Sequence, residues 1–163
     1  MHYNIYEYAK KNKLLGQSAI KDKEFREFFE STKIKTVVEI GTHKGLSAAY
    51  MTGFAKTIFT FDVEDYPEKY KVWEDLKVNG SIRYYTIKNR IDIRKILDTI
   101  KFDFAFIDGL HDYENVKEDF KLVSHCGKVL LHDSAKLKKF YGVKKFCDEI
   151  GAKIIGNIAY WQK

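Results

Sequence analysis

Two glycines four positions apart lie between an apolar run and a predicted helix, a spacing suited to holding a ligand. The run at residues 37–40 ends next to Gly41, and Gly45 precedes the helix. Glycine tolerates positive φ and has no Cβ, so this backbone can turn sharply and approach a bound molecule closely. A dinucleotide fingerprint would need glycine at His43, and no Gly-Lys-Ser/Thr follows as in a phosphate P-loop. A plain strand-to-helix turn is the alternative.

An acid stands 21 residues beyond Gly41, directly after the next apolar run. Ligands of open α/β sheets bind at the carboxyl ends of the strands, so this acid, Asp62, should lie beside the glycine turn. Its carboxylate offers two acceptor oxygens, which can bind both hydroxyls of a ribose. Glu64 is a less favoured substitute, and a surface acid without function is the alternative.

Acids and imidazoles also follow two later apolar runs. Asp108 and His111 follow one run, and His132 and Asp133 follow the next one. Adjacent parallel strands lie about 4.8 Å apart, so carboxylates at their ends can share one hard cation.

Short apolar runs alternate with amphipathic helices, which predicts a doubly wound α/β sheet. Parallel strands are predicted at residues 36–40, 57–61, 82–87, 102–107 and 128–131. Helices are predicted at 46–52, 67–78, 92–100, 113–124 and 137–150, and hairpin strands at 152–155 and 158–161. The expected fold is a Rossmann-like, seven-stranded sheet in a three-layer sandwich, with five parallel strands and a C-terminal antiparallel hairpin.

The length of 163 residues predicts a single domain, 1–163. Residues 1–34 are expected to form a helical N-terminal segment, and 35–163 the ligand-binding core. The part before Gly16 is expected to cover either an acceptor site or a partner subunit. A chain this short leaves an open site, which this segment or a second subunit, as in a homodimer, would close.

The composition is that of a soluble globular protein, with 45% apolar and 32% charged residues. No apolar stretch reaches signal or membrane length, so we expect a cytoplasmic protein without a membrane partner. Cys126 and Cys147 are too few and too far apart for a disulfide framework or a zinc knuckle, and both are expected to be buried thiols.

The densest basic region, residues 136–145, interleaves lysines with aromatic residues, and the chain has a net charge of +6. This pattern would suit a nucleic-acid surface. The helical spacing of Phe140, Val143 and Phe146 instead favours an amphipathic helix whose lysines are solvated. Nucleic acid is therefore not the favoured partner.

Three strings in one order carry a family resemblance. They are E-x-G-x-x-x-G-x-S at residues 39–47, I-D-G-x-H-x-Y-E-x-V-x-x-D-F at 107–120 and H-D-S at 132–134. This pattern resembles the class I S-adenosylmethionine (SAM)-dependent methyltransferases, in the methyltransferase 24 type group related to macrolide and sugar O-methyltransferases. The resemblance implies methyl transfer from SAM to a hydroxyl of a small molecule, sugar or polyketide-like. A non-catalytic SAM-binding module and an RNA methyltransferase are the alternatives.

The resemblance also implies a cofactor site at the strand ends. Its expected residues are Glu39, Gly41, Thr42, Gly45, Ser47, Asp62, Asn89 and Asp108. Relatives tend to have a glycine and an acid that touch the adenine after the third strand. Asn89 stands in that region and is expected to substitute through its amide.

In the relatives a divalent metal can lie where the fourth and fifth strands end, and Asp108, His132 and Asp133 occupy those positions. An acid often stands where this chain has His132, and imidazole shifts the preference from magnesium toward manganese, iron or zinc. Without a metal, Asp108 would hold the turn and contact the cofactor, while Asp133 would cap the next helix.

Methyl transfer to a hydroxyl requires removal of its proton, so Asp108 and His111 are the expected catalytic residues. His111 is the expected general base because an unperturbed imidazole pKa near 6.5 suits proton removal. A metal ligand and a structural hydrogen-bond donor are its alternative roles.

Overall fold

The structure is a computed structural model that describes residues 2–135 and 141–163. Its α-helices, α1 to α7, are His2–Lys11, Lys23–Glu30, Leu46–Met51, Glu68–Asp75, Arg90–Leu97, Tyr113–Val123 and Tyr141–Glu149. Its strands, β1 to β7, are Thr36–Ile40, Thr57–Asp62, Ile82–Thr86, Phe104–Ile107, Lys128–His132, Lys153–Ile155 and Ile158–Gln162. Short 3-10 helices are Leu15–Gln17, Ala19–Lys21, Asn79–Ser81 and Ser124–Cys126.

The strands of the described residues form one seven-stranded sheet in the order β3-β2-β1-β4-β5-β7-β6. β1 to β5 pair in parallel, whereas β7 runs antiparallel to both β5 and β6. The predicted Rossmann-like fold is confirmed. The strand order reverses between β1 and β4, where Ile40 pairs with Ile107. The loops after these two strands therefore border one crevice, the usual ligand site of such sheets.

Helices cover both faces of the sheet, and successive β-branched residues of the central strand β1 therefore enter two different cores. Val37 belongs to the core that packs against α1 to α4, and Val38 to the core against α5 to α7. Both side chains are fully buried. Burial on two faces explains why β4, Phe104–Ile107, is a continuous apolar run rather than an alternating one.

Several helix boundaries differ from the prediction by one to three residues, and two of these differences have clear local causes. α4 ends at Asp75 rather than at residue 78, because Lys77 adopts a left-handed φ of 56° and Val78 N–H bonds back to the Trp73 carbonyl. α5 begins at Arg90, two residues early, because Asn89 caps it.

The apolar face predicted for the last helix is confirmed where the structure describes it. Val143 and Phe146 are buried, while the predicted start at 137–140, including Phe140, lies outside the described residues. Cys147 is buried as predicted, but the prediction is wrong for Cys126, which is only half-buried.

The N-terminal segment packs on the sheet side that carries α3. Ile5 and Ala9 of α1 are buried in that core, so this helix packs against the sheet. Farther along, Gly16 and Lys21 reach the edge of the crevice. Among the described residues, no helix combines the length and the apolar character that a membrane span requires.

Candidate active site

A cavity of about 1020 Å³ lies at the carboxyl ends of the parallel strands. Its wall contains predicted site residues from the ends of β1 to β5: Gly41, Asp62, Asn89, Asp108, His111, His132 and Asp133. This volume is at the upper end of those typical of small-molecule sites. The fold thus brings together residues that are separated by more than 90 positions in the sequence.

The glycine turn after β1 has the predicted positive φ angles, 101° at Gly41 and 71° at Gly45. The close approach that requires them is within the protein itself. A Cβ at Gly41 would lie 2.2 Å from the Asp108 carbonyl oxygen, and one at Gly45 would lie 2.5 Å from Trp73 Nε1. Both glycines therefore also let the turn pack closely against the end of β4 and against α4.

Glu39 lies beneath the turn, with no exposed surface. Ser47 and Thr60 donate to its two carboxyl oxygens, each at 2.5 Å, and Thr42 contacts Thr60 at 2.6 Å. Burial raises the pKa of Glu39 to about 8, although Ser47 and Thr60 oppose the rise. The direct cofactor contact expected for Glu39 is thus not what this geometry favours. Its carboxyl group instead ties β1 to β2 and to the start of α3.

Asp62 lies beside the turn, as its place at the end of β2 predicts. Its carboxylate accepts His43 N–H at 2.7 Å and Glu64 N–H at 3.1 Å, one on each oxygen. Each oxygen keeps a second acceptor position. The His43 ring packs edge-on against Tyr66, 4.7 Å between centroids, on the same cavity wall.

Asn89 lines the cavity, but its side-chain oxygen caps α5 by accepting Ile91 N–H at 2.9 Å and Asp92 N–H at 3.2 Å. Only its NH₂ group therefore remains for the expected adenine contact. The next residue, Arg90, was not among the predicted site residues. Arg90 also lines the cavity and pairs through Nε with the buried Asp119 at 2.7 Å.

A charged cluster lies where β4 and β5 end. His132 Nδ1 lies 2.9 Å from Asp108 Oδ1 and 3.5 Å from Asp133 Oδ2. His132 Nε2 lies 2.8 Å from Asp22 Oδ2 at the start of α2. Burial alone would lower the pKa of His132, but the surrounding carboxylates, Asp108 foremost, raise it to about 10.

His111 joins this cluster from the loop after β4. Its Nε2 lies 3.0 Å from Asp133 Oδ2 and 3.6 Å from Asp108 Oδ1. Burial lowers its pKa, but these two carboxylates outweigh that effect and raise it to about 9. The expectation of an ordinary imidazole pKa near 6.5 is therefore wrong, because the carboxylates stabilise the protonated ring.

Asp133 contacts residues from other parts of the chain, while the start of the helix that it would cap without a metal lies outside the described residues. It has a left-handed φ of 55°, and its carboxylate accepts from Asn157 at 3.0 Å as well as facing His111. Burial raises the pKa of Asp133, but the two imidazoles and Asn157 lower it to about 2. The group is therefore an anion over the whole physiological range.

Asp108, His132 and Asp133 fit the requirements of a divalent cation. Each offers one ligand atom, and the three atoms lie within 4.8 Å of one another. Two carboxylates and one imidazole form a donor set that suits manganese, iron or zinc better than magnesium. Sequence analysis missed Asp22 and Asn157 beside this set.

A family model described as a methyltransferase domain, type 24, matches residues 38–134, more than half of the chain. A sequence search of curated proteins found no match.

Solved methyltransferase structures share the fold at low sequence identity. An O-methyltransferase from Bacillus cereus in complex with SAH is 16% identical with a TM-score of 0.70, over 99% of this chain and 90% of that chain. The O-methyltransferase TomG from Streptomyces achromogenes, involved in tomaymycin synthesis and in complex with SAM, is 16% identical with a TM-score of 0.65, over 92% and 77%. MycE from the mycinamycin biosynthetic pathway, in complex with Mg and SAH, is 15% identical with a TM-score of 0.65, over 98% and 53%.

The family match covers the glycine turn, Asp62 and the β4 and β5 strand ends, the same stretches that form the cavity wall. The chain therefore belongs to the methyltransferase 24 family and is a class I, SAM-dependent methyltransferase.

Proposed function

We propose that this enzyme transfers the methyl group of SAM to a hydroxyl of a small molecule, a sugar or polyketide-like acceptor, with help from a divalent cation. The observation that carries the proposal is the position of His111. This imidazole lies on the wall of the cavity that the glycine turn and Asp62 also line. A proton-accepting group and the expected cofactor site thus share one cavity.

The cofactor is proposed to bind along the ends of β1 to β4. The turn from Gly41 to Gly45 would hold the methionine end, supported from below by Glu39. The two oxygens of Asp62 would accept the ribose hydroxyls, because both retain acceptor capacity beside the turn. The NH₂ group of Asn89 would contact the adenine.

The acceptor hydroxyl is proposed to bind next to His111 and lose its proton to the imidazole ring. Asp108 and Asp133 face Nε2, where they would stabilise the imidazolium that forms. Proton removal requires the neutral ring, and this form is favoured when a cation occupies the same carboxylates. A divalent cation held by Asp108, His132 and Asp133 would polarise the acceptor oxygen.

Two of the similar proteins support the choice of an oxygen acceptor and of a divalent cation. TomG is an O-methyltransferase, which supports oxygen as the acceptor atom, and MycE holds Mg together with SAH, which supports a cation near the cofactor. The basic helix gives less support to RNA, because Lys144 pairs with Asp148 and Lys145 lies over the Tyr113 ring.

The test is SAH release from SAM with a panel of sugar and polyketide-like hydroxyl compounds, in the presence of Mn²⁺ or Mg²⁺. We expect at least one acceptor to gain one methyl group on oxygen. His111→Gln should lower turnover by about 10²- to 10⁴-fold, the usual contribution of a general base, without changing SAM affinity.

His125→Gln is the matched control. This histidine lies in the 3-10 helix that precedes β5, and its ring packs against Phe102. Turnover by His111→Gln equal to that of the control would contradict the role of His111. Transfer only to nitrogen acceptors, or to none, would contradict the proposed reaction.

A further inference from the structure

Asp22 contacts the candidate cation ligand His132. It lies at one ring nitrogen, and the other two candidate ligands lie at the other. Nδ1 of the buried His132 ring lies with Asp108 and Asp133, while Nε2 lies 2.8 Å from Asp22 Oδ2. Asn157, in the turn between β6 and β7, donates from Nδ2 to Asp22 and to Asp133, each at 3.0 Å. Two of the three candidate ligands therefore have a fixed outer partner.

The position of Asp22 in the sequence predicts a different bond from the one that it makes. It occupies the N-cap position of α2, where an aspartate ordinarily accepts a backbone N–H of the first turn. No side-chain capping bond forms there. The carboxylate of Asp22 is instead committed to His132 and Asn157.

We propose that Asp22 is a positioning residue that orients His132 toward a divalent cation bound with Asp108 and Asp133. A metal-binding imidazole uses one nitrogen for the metal, and a carboxylate that accepts from the other nitrogen fixes its tautomer and ring orientation. In this chain Nδ1 is the nitrogen on the ligand side, and Asp22 holds Nε2. This inference rests on the cation site of the proposed function.

Through Asp22, the N-terminal segment reaches a candidate ligand at the end of β5. Asn157 N–H also donates to Glu24 of α2 at 2.6 Å. Glu24 thus joins the same helix to the same hairpin turn, but it makes no contact with a candidate ligand. Glu24→Gln is therefore a matched control for the loss of a carboxylate at this junction.

The experiment measures Mn²⁺ affinity by electron paramagnetic resonance and the visible absorption spectrum of the Co²⁺-loaded protein. The proteins compared are the unaltered protein, Asp22→Asn, Asp22→Ala and Glu24→Gln. SAM affinity, measured in the same samples, reports whether each variant is folded. We expect both Asp22 variants to bind Mn²⁺ about 10- to 100-fold more weakly and to alter the Co²⁺ spectrum, with Glu24→Gln unchanged.

Unchanged Mn²⁺ affinity in the Asp22 variants would overturn the proposal. Equal weakening in Glu24→Gln would also overturn it, because general docking of α2 would then explain the effect. If the unaltered protein bound SAM but neither Mn²⁺ nor Co²⁺, this inference would fail while SAM-dependent methyl transfer stood. Failure to bind SAM, with Mn²⁺ bound, would instead contradict the proposed function alone.

Discussion

Buried carboxyl groups next to the cavity have two different environments. Among the described residues Glu39 bonds to two hydroxyls, and burial raises its pKa to about 8, so it is largely protonated at neutral pH. Asp133 lies beside two imidazoles, which hold its pKa near 2 despite burial. The first group is suited to structural support of the glycine turn. The second is an anion suited to binding a cation or stabilising an imidazolium.

The raised pKa of Glu39 predicts how stability varies with pH. Between the ordinary glutamate pKa of 4.5 and the folded value of about 8, the folded state holds a proton that the unfolded state has lost. The contribution of Glu39 to the free energy of unfolding is therefore full below pH 4.5 and is lost as pH rises through about 8. The glutamine of Glu39→Gln cannot titrate, so this substitution should remove the part of the pH dependence of stability that Glu39 causes.

Urea unfolding of both proteins from pH 5 to pH 9 measures this difference, with the exposed Glu27→Gln as control. The stability of Glu39→Gln relative to the unaltered protein should rise with pH. Parallel stability curves for the two proteins would show that Glu39 is ionised in the folded state.

The ends of β1 and β4 approach each other so closely that only glycine fits at the start of the turn. Gly41 N–H bonds to the Phe61 carbonyl at 2.9 Å, and its Cα faces the Asp108 carbonyl. The turn is therefore fixed by two neighbouring strands rather than by its own sequence. Contacts with both strands thus hold this short loop at the switch point of the sheet.

Gly41→Ala should destabilise the protein, since a Cβ would lie 2.2 Å from the Asp108 carbonyl oxygen at a φ of 101°. Backbone strain alone costs about 1–3 kcal/mol, and the clash adds to it. Gly80→Ala is the control, because nothing lies within 4 Å of a Cβ there and its φ is not left-handed. Urea unfolding compares the two, and equal stabilities would contradict the close approach of β1 and β4.

Across the whole molecule, sequence reasoning located features that follow from strand order and missed those that follow from tertiary packing. Gly41 and Asp62 were predictable because adjacent parallel strands bring their ends together. Asp22 reaches His132 from 110 positions away, and no local pattern marks that contact. Arg90 is similar, because its partner Asp119 lies on α6 and only the packing of α5 on α6 joins them. The single-domain organisation stays a prediction.

At the scale of the whole molecule, we propose that one cavity holds SAM against the strand ends. Isothermal titration calorimetry with SAM and SAH tests this most directly, on the unaltered protein and on Asp62→Ala. We predict that both ligands bind in competition at one site, and that Asp62→Ala weakens each by at least about tenfold, the loss of about 1.4 kcal/mol expected for hydrogen bonds to a charged acceptor. If the unaltered protein bound neither SAM nor SAH, this result would contradict the proposed SAM site.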